Sequence, residues 1–251
     1  MLRIILSGCN GKMGRVITDI INRKNDIDIV AGVDLDPSQN GPFPVFKKFE
    51  DITCDADVII DFSHPSVLDE LINYAKKMHM AAVIATTGFS DEQIRSIYAA
   101  GSEIPVFFSF NMSLGINLLA ELARKAAAVL EGFDIEIIEK HHNQKIDAPS
   151  GTAILLANEI NDELSGKMTY EYDRHSKREK RTTTEIGIHA VRGGTIVGEH
   201  EVLFAGRDEI ITLSHSARSK EVFAVGAVNA AVFVAEKEKG LYSMKELVAE
   251  K

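Results

Sequence analysis

The densest run of side chains able to move protons and hold anions is Glu139-Lys140-His141-His142-Asn143-Gln144-Lys145-Ile146-Asp147-Ala148-Pro149-Ser150-Gly151-Thr152. Histidine exchanges protons near neutral pH more readily than any other side chain. Lys145, four residues after His141, adds a positive charge and a second proton donor. Ser150-Gly151-Thr152 enters a predicted helix, where unpaired backbone N–H groups, a hydroxyl and the helix dipole converge on a carboxylate or phosphate. Two plainer readings compete. His141 and His142 could ligate a metal, but adjacent histidines rarely address one ion, and no further Cys or His stands at ligand spacing. They could also be surface histidines without a role, a reading that the following anion receptor weakens.

A second group lies near the N-terminus. Ser7-Gly8-Cys9-Asn10-Gly11-Lys12-Met13-Gly14 spaces its glycines G-x-x-G-x-x-G, a variant of the dinucleotide fingerprint. Residues without Cβ let the backbone approach a pyrophosphate, and the helix that opens there offers its N–H groups and positive dipole end. Asp34 closes the next apolar run, where an acid can accept hydrogen bonds from the adenosine ribose hydroxyls. Asp36 stands beside it as a competitor. Ala85-Thr86-Thr87-Gly88 and Ser109-Phe110-Asn111-Met112 end later runs and suit the nicotinamide side, although simple loop chemistry would place the same residues there. His64, in Asp61-Phe62-Ser63-His64-Pro65, reads as a helix-start or rim residue rather than a catalyst.

These residues need a scaffold, and the hydrophobic pattern supplies one. Residues 2–6, 29–33, 58–61, 82–86 and 106–108 read as buried parallel strands rich in Ile and Val. Between them, 12–23, 67–77 and 91–100 carry helical spacing, so a parallel sheet covered on both faces is predicted, a Rossmann-like α/β domain. Beyond Asn111 the rhythm changes to an α+β pattern with an open mixed sheet. Helices are expected over 114–130 and 152–164, and an alternating strand over 133–139. Three strands over 184–191, 196–204 and 209–215, broken at Gly and Asp, predict an antiparallel meander. The apolar helix 223–237 is expected to pack back on the first domain. The polar stretch 170–184, with Lys177-Arg178-Glu179-Lys180-Arg181 at its centre, reads as a solvated mobile loop.

Composition excludes several classes. A net charge of −9 argues against a general nucleic-acid binder, while a local basic pocket can still hold an anion. Two cysteines, Cys9 and Cys54, cannot build a disulfide framework, and no run approaches the roughly 20 apolar residues that span a bilayer. A cytoplasmic enzyme is expected, with neither membrane nor nucleic-acid partners.

The chain resembles the 4-hydroxy-tetrahydrodipicolinate reductase (dihydrodipicolinate reductase) family. The resemblance rests on His141-His142-x-x-Lys145-x-Asp147-Ala148-Pro149-Ser150-Gly151-Thr152-Ala153, with Gly8-x-x-Gly11-x-Met13-Gly14, Thr86-Thr87-Gly88, Asn111-Met112-Ser113, Arg192-x-Gly194-x-Ile196-Val197-Gly198-Glu199-His200 and Phe223-Ala224-x-Gly226-Ala227. Ala85 departs from a common glycine, and no Arg follows Asp34. The resemblance implies a dinucleotide-binding domain (residues 1–112 and 222–251) and a substrate-binding, tetramer-forming domain (113–221). It further implies NAD(P)H-dependent reduction of a small cyclic dicarboxylate in lysine biosynthesis, without metal. His141 would be the general acid/base and Lys145 a proton donor. His142, Ser150, Gly151 and Thr152 would hold the substrate. Gly8, Cys9, Asn10, Gly11, Lys12, Met13, Asp34, Ala85, Thr86, Thr87, Ser109, Phe110, Asn111 and Met112 would line the cofactor. Rival readings are an amino-acid or sugar dehydrogenase, which would not need the His-His-x-x-Lys loop, and a dinucleotide-sensing regulator, which should carry a partner module.

Overall fold

The structure, a computed structural model, describes residues 1–38 and 42–250. In chain order the elements are β1 (Leu2–Ser7), α1 (Lys12–Ile21), β2 (Ile27–Val33), β3 (Val45–Phe46), β4 (Val58–Asp61), α2 (Leu68–Met78), β5 (Ala81–Ile84), α3 (Asp91–Ala100), β6 (Pro105–Phe108), α4 (Leu114–Val129), β7 (Asp134–His141), α5 (Gly151–Glu163), β8 (Thr169–Glu171), β9 (Glu185–Arg192), β10 (Gly198–Ala205), β11 (Ile210–Ala217), α6 (Glu221–Val234), β12 (Gly240–Tyr242) and α7 (Met244–Ala249). They form two compact units, Met1–Leu114 with Glu221–Lys251, and Gly115–Lys220.

The first unit is a seven-stranded parallel sheet in the order β12-β6-β5-β4-β1-β2-β3. β4 and β5 are buried at every position because both faces of the sheet are covered. Ile4, Leu6, Ile60 and Val83 pack on one side with residues of α1, α6 and α7. Ile5, Ile59, Ala82 and Ile84 pack on the other, with residues of α2 and α3. α6 lies close because Gly226 has no side chain; a Cβ there would overlap the Met112 carbonyl oxygen.

The second unit is a mixed five-stranded sheet ordered β11-β10-β7-β9-β8, with α4 and α5 packed on one face through Ile116, Ala123, Leu156, Ile137, Ile188 and Phe204. Two expectations need correction here. The three late strands do not form a meander: only β10 and β11 are hairpin neighbours, whereas β9 pairs parallel with β7 and β10 pairs antiparallel with β7's other edge. The Gly193-Gly194 connection must therefore straddle the end of β7, and the Gly193 N–H donates to the His141 carbonyl at 2.9 Å as it passes. Turn residues mark where a strand ends but not which neighbour the next strand joins. The stretch 170–184 begins inside β8 (Thr169–Glu171) and is tied down by ion pairs, Lys177 to Glu171, Arg174 to Glu185, and Arg181 to Glu136 at 2.8 Å.

Candidate active site

In the first unit the strand order reverses between β1 and β4, so the ends of these two strands flank the crevice where open α/β sheets bind ligands. Gly8, just past β1, has φ +76, in the left-handed region, and a Cβ there would overlap the Phe62 carbonyl oxygen at the end of β4. A Cβ on Gly14 would overlap the Gly8 carbonyl. The turn therefore closes only with glycines, and it delivers the chain to Gly11, the N-cap of α1. A cavity of about 620 Å³ opens beside it, lined by residues that include Gly8, Asn10, Gly11, Asp34, Leu35, Lys47 and His64. Bare backbone, a helix N-terminus and an acid at the end of β2 fit a dinucleotide's pyrophosphate and ribose.

Asp34 is held in place: one carboxylate oxygen accepts from the Asn10 N–H at 3.0 Å, the other from the Asp36 N–H at 3.3 Å. Cys9 is buried beneath the turn, where burial and the nearby Asp34 charge push its thiol up to about 11. Lys12 is exposed at the start of α1 and Met13 packs on the core; neither lines the cavity. His64 caps the short helical turn after β4, its ring nitrogen accepting from the Ser66 N–H.

The remaining predicted cofactor residues follow β5 and β6 on the same edge of the sheet, outside that cavity. Thr86 donates to buried Asp61 at 2.6 Å and accepts from the Ser63 N–H at 2.9 Å, latching the ends of β4 and β5. Ser63 donates to the other Asp61 oxygen at 2.5 Å, and burial still pushes that carboxyl up against these hydrogen bonds. Ala85 and Met112 are buried, and Thr87 and Phe110 are exposed, with Phe110 set edge-on to Phe108 at 5.2 Å. Ser109 donates to the Asn111 carbonyl, and the Asn111 side chain accepts from the Ser113 N–H.

The second unit gathers the acid–base residues. β7 alternates Ile135, Ile137, Glu139 and His141 on its buried face and runs two residues past its predicted end, so His141 is a strand residue rather than part of the loop. Glu139 is fully buried, and four donors converge on it. His141 Nδ1 lies at 2.6 Å, the Arg192 guanidinium spans both oxygens at 2.8 and 2.7 Å, and the Ser150 N–H donates at 3.0 Å. Burial raises the Glu139 carboxyl, but these partners outweigh it and hold the group below the usual carboxylate range. A carboxylate only accepts, so His141 Nδ1 carries the proton and Nε2 is left for other work.

Ser150 caps α5, its hydroxyl accepting from the Ala153 N–H at 3.1 Å and lying 3.0 Å from His200 Nε2. Its side chain is thus buried and committed, while Gly151 is exposed and Thr152 half-buried as the first residues of the helix. His200 packs edge-on against His141, ring centres 5.2 Å apart. Burial, followed by the His141 neighbour, pushes His200 down to about 4, so it is neutral near pH 7. Arg192 also donates to the Asp147 carbonyl at 2.6 Å, tying down the loop that carries Lys145, and Lys145 pairs with Asp147 at 2.8 Å. The Lys145 N–H donates to the carbonyl of half-buried His142. Among the described residues, no group of three or more His, Cys, Asp and Glu is placed to hold a metal ion.

Residues of these networks without a predicted role include Glu139, Arg192, His200, Asp61 and Lys47. Glu139 has a clear signal, an acid at the inward-facing position of an alternating strand, two residues before His141. Lys47 has none, because only the pairing of β3 with β2 brings it beside Asp34.

Residues 2–112 match the family model described as dihydrodipicolinate reductase, N-terminus, and residues 115–248 match its C-terminus counterpart. A Caldanaerobacter subterraneus subsp. tengcongensis protein named 4-hydroxy-tetrahydrodipicolinate reductase is 52% identical over 248 residues, covering 99% of this chain and 98% of its own. One of the same name from Clostridium novyi is 48% identical over 252 residues, covering 100% of both chains. Among solved structures, a dipicolinate-bound dihydrodipicolinate reductase from a Paenisporosarcina species superposes with a TM-score of 0.81 at 29% identity, covering 97% of each chain.

Proposed function

Because the chain belongs to the dihydrodipicolinate reductase family, we propose that it reduces 4-hydroxy-tetrahydrodipicolinate (dihydrodipicolinate) to tetrahydrodipicolinate with NADH or NADPH, in the diaminopimelate route to lysine. The observation that carries this reading is the junction of β7 and α5. There a histidine and a helix N-terminus suited to an anion share one buried carboxylate, and its partner Arg192 ties in the lysine-bearing loop. The nicotinamide supplies the hydride when bound, and this chain supplies placement, protons and charge. His141 is the general acid/base through Nε2, and Lys145 is the proton donor. Gly151, Thr152 and His142 receive the substrate's two carboxylates, which the helix dipole favours. Ser150 supports them as the cap.

The cofactor is held by the glycine turn Gly8–Met13, by Asp34 and by the ends of β5 and β6. NADH serves at least as well as NADPH. Asp34 suits two ribose hydroxyls and repels a 2′-phosphate; a charge pair about 4 Å apart at an effective dielectric near 20 interacts by about 4 kcal/mol. Lys47, lining the same cavity, relieves part of that repulsion, so use of both cofactors is expected. The enzyme works in the cytoplasm as a homotetramer assembled through the second unit's sheet, whose face opposite α4 and α5 carries Ile138, Leu203 and Ile210.

Cofactor absorbance tests the reading, with substrate made in situ by the preceding pathway enzyme. Oxidation of the cofactor that depends on substrate, and that dipicolinate inhibits in competition with substrate, is expected. No turnover with either cofactor overturns the assignment.

A further inference from the structure

We infer that Glu139 is a positioning residue for the reaction: its carboxylate fixes the tautomer and direction of His141 and locks that ring to the N-terminus of α5. This role rests on the reductase reading above, and the geometry supplies the rest. Glu139 and His141 are two residues apart on one strand, so both point to the buried face of the second unit's sheet. Each Glu139 oxygen takes two donors. Oε1 accepts from the Ser150 N–H and one Arg192 nitrogen, and Oε2 accepts from His141 Nδ1 and the other Arg192 nitrogen.

The carboxylate is therefore saturated and cannot turn. Three segments meet on it: β7, the end of β9 and the cap of α5. Arg192 neutralises the charge, so what Glu139 gives His141 is direction more than net field. A histidine without that partner could carry its neutral-state proton on either nitrogen, and only one form leaves Nε2 open as a base. A carboxylate that holds an acid–base histidine in the correct tautomer can matter greatly to turnover even though it never touches the reacting atoms.

Glu139→Gln tests this because its chemistry is forced. Each oxygen position faces one Arg192 nitrogen; of the other two partners the Ser150 N–H can only donate, whereas His141 Nδ1 can become an acceptor, so the glutamine oxygen sits at Oε1 and its NH₂ faces His141 Nδ1. His141 Nδ1 then has to accept, and the proton moves to Nε2. We expect kcat to fall roughly 10²-fold or more, as for other histidines forced into the wrong tautomer. The KM and the dipicolinate affinity measured by calorimetry should stay within about threefold, the pattern of a contribution made in the transition state only.

Should the variant fail to fold, histidine ¹⁵N shifts in the intact wild-type protein decide the matter, with the His141 signal assigned by its loss in His141→Gln. A protonated Nδ1 and an unprotonated Nε2 in neutral His141 support the proposal. An Nε2–H tautomer overturns it, as does a Glu139→Gln enzyme with near wild-type kcat. Absence of turnover in the wild type would count against the reductase reading instead, and the tautomer measurement would still judge Glu139.

Discussion

At the scale of single residues, the proposed function divides labour between groups that would touch ligands and groups that would aim them. His141→Gln and Lys145→Ala are each expected to lower turnover roughly 10²-fold or more, the usual loss for a proton-transfer group. NADH affinity, measured by fluorescence titration, should barely change, since both residues lie in the second unit; near wild-type turnover in both variants would remove their roles. Cofactor choice is set elsewhere. Asp34→Ala should move the ratio of kcat/KM values toward NADPH and Leu35→Arg should add to it, whereas Lys47→Ala should move it toward NADH. A wild-type preference for NADPH above about tenfold, or about 1.4 kcal/mol, would contradict this account. The group proposed to touch ligands was legible in sequence because proton donors and anion receptors are scarce residue types at telling spacings. Of the group argued to aim them, Glu139 shows in the alternation of β7, but the rest does not. Arg192 and His200 stand far from His141 in sequence, and only the register of β9 and β10 against β7 brings them alongside it.

At the scale of elements, β10 and α5 are joined by the contact between His200 and Ser150. His200 has a folded value of about 4 against an ordinary value of 6.5. Its neutral form is favoured in the fold, so the unfolded chain binds the extra proton between those values. The stabilisation is thus complete above about pH 6.5 and lost as pH falls toward 4, by about 3 kcal/mol in all. Melting temperatures of the wild type should therefore drop across that window, and His200→Asn should flatten the dependence; parallel profiles would show that His200 is not the group responsible. Most elements could be read from pattern alone: Val58–Asp61 and Asp91–Ala100 fall on their predicted residues, because a buried strand and an amphipathic helix each impose a period on the sequence. Pairing order imposes none, which is why β7 lying between β9 and β10 went unread.

At the scale of the whole molecule, light scattering after size exclusion should return four chains, and a stable monomer would remove the assembly role of the second unit's sheet. The chain's excess of acid is spread over a protein whose predicted ligands are anions, so attraction must come from the local groups at Lys47, Lys145 and the two helix N-termini rather than from the overall field. The first unit is also discontinuous, and α6 and α7 supply Ala224, Val228, Ala231, Val234, Met244 and Leu247 to a core whose strands come from the other end of the chain. A protein ending at residue 220 should consequently lose the first unit, seen as protease sensitivity of residues 1–114, whereas an intact, protected first unit would show that α6 is dispensable. On the ribosome the same arrangement creates a waiting period. About a hundred residues separate the two parts of that unit, so at about 5–20 residues per second one face of the sheet keeps only its α1 cover for some 5–20 s. During that time Ile60 and Val83 lack their α6 cover and are open to whatever binds nascent chains, and the demand on chaperones is set by where α6 sits in the message rather than by the stability of the finished enzyme.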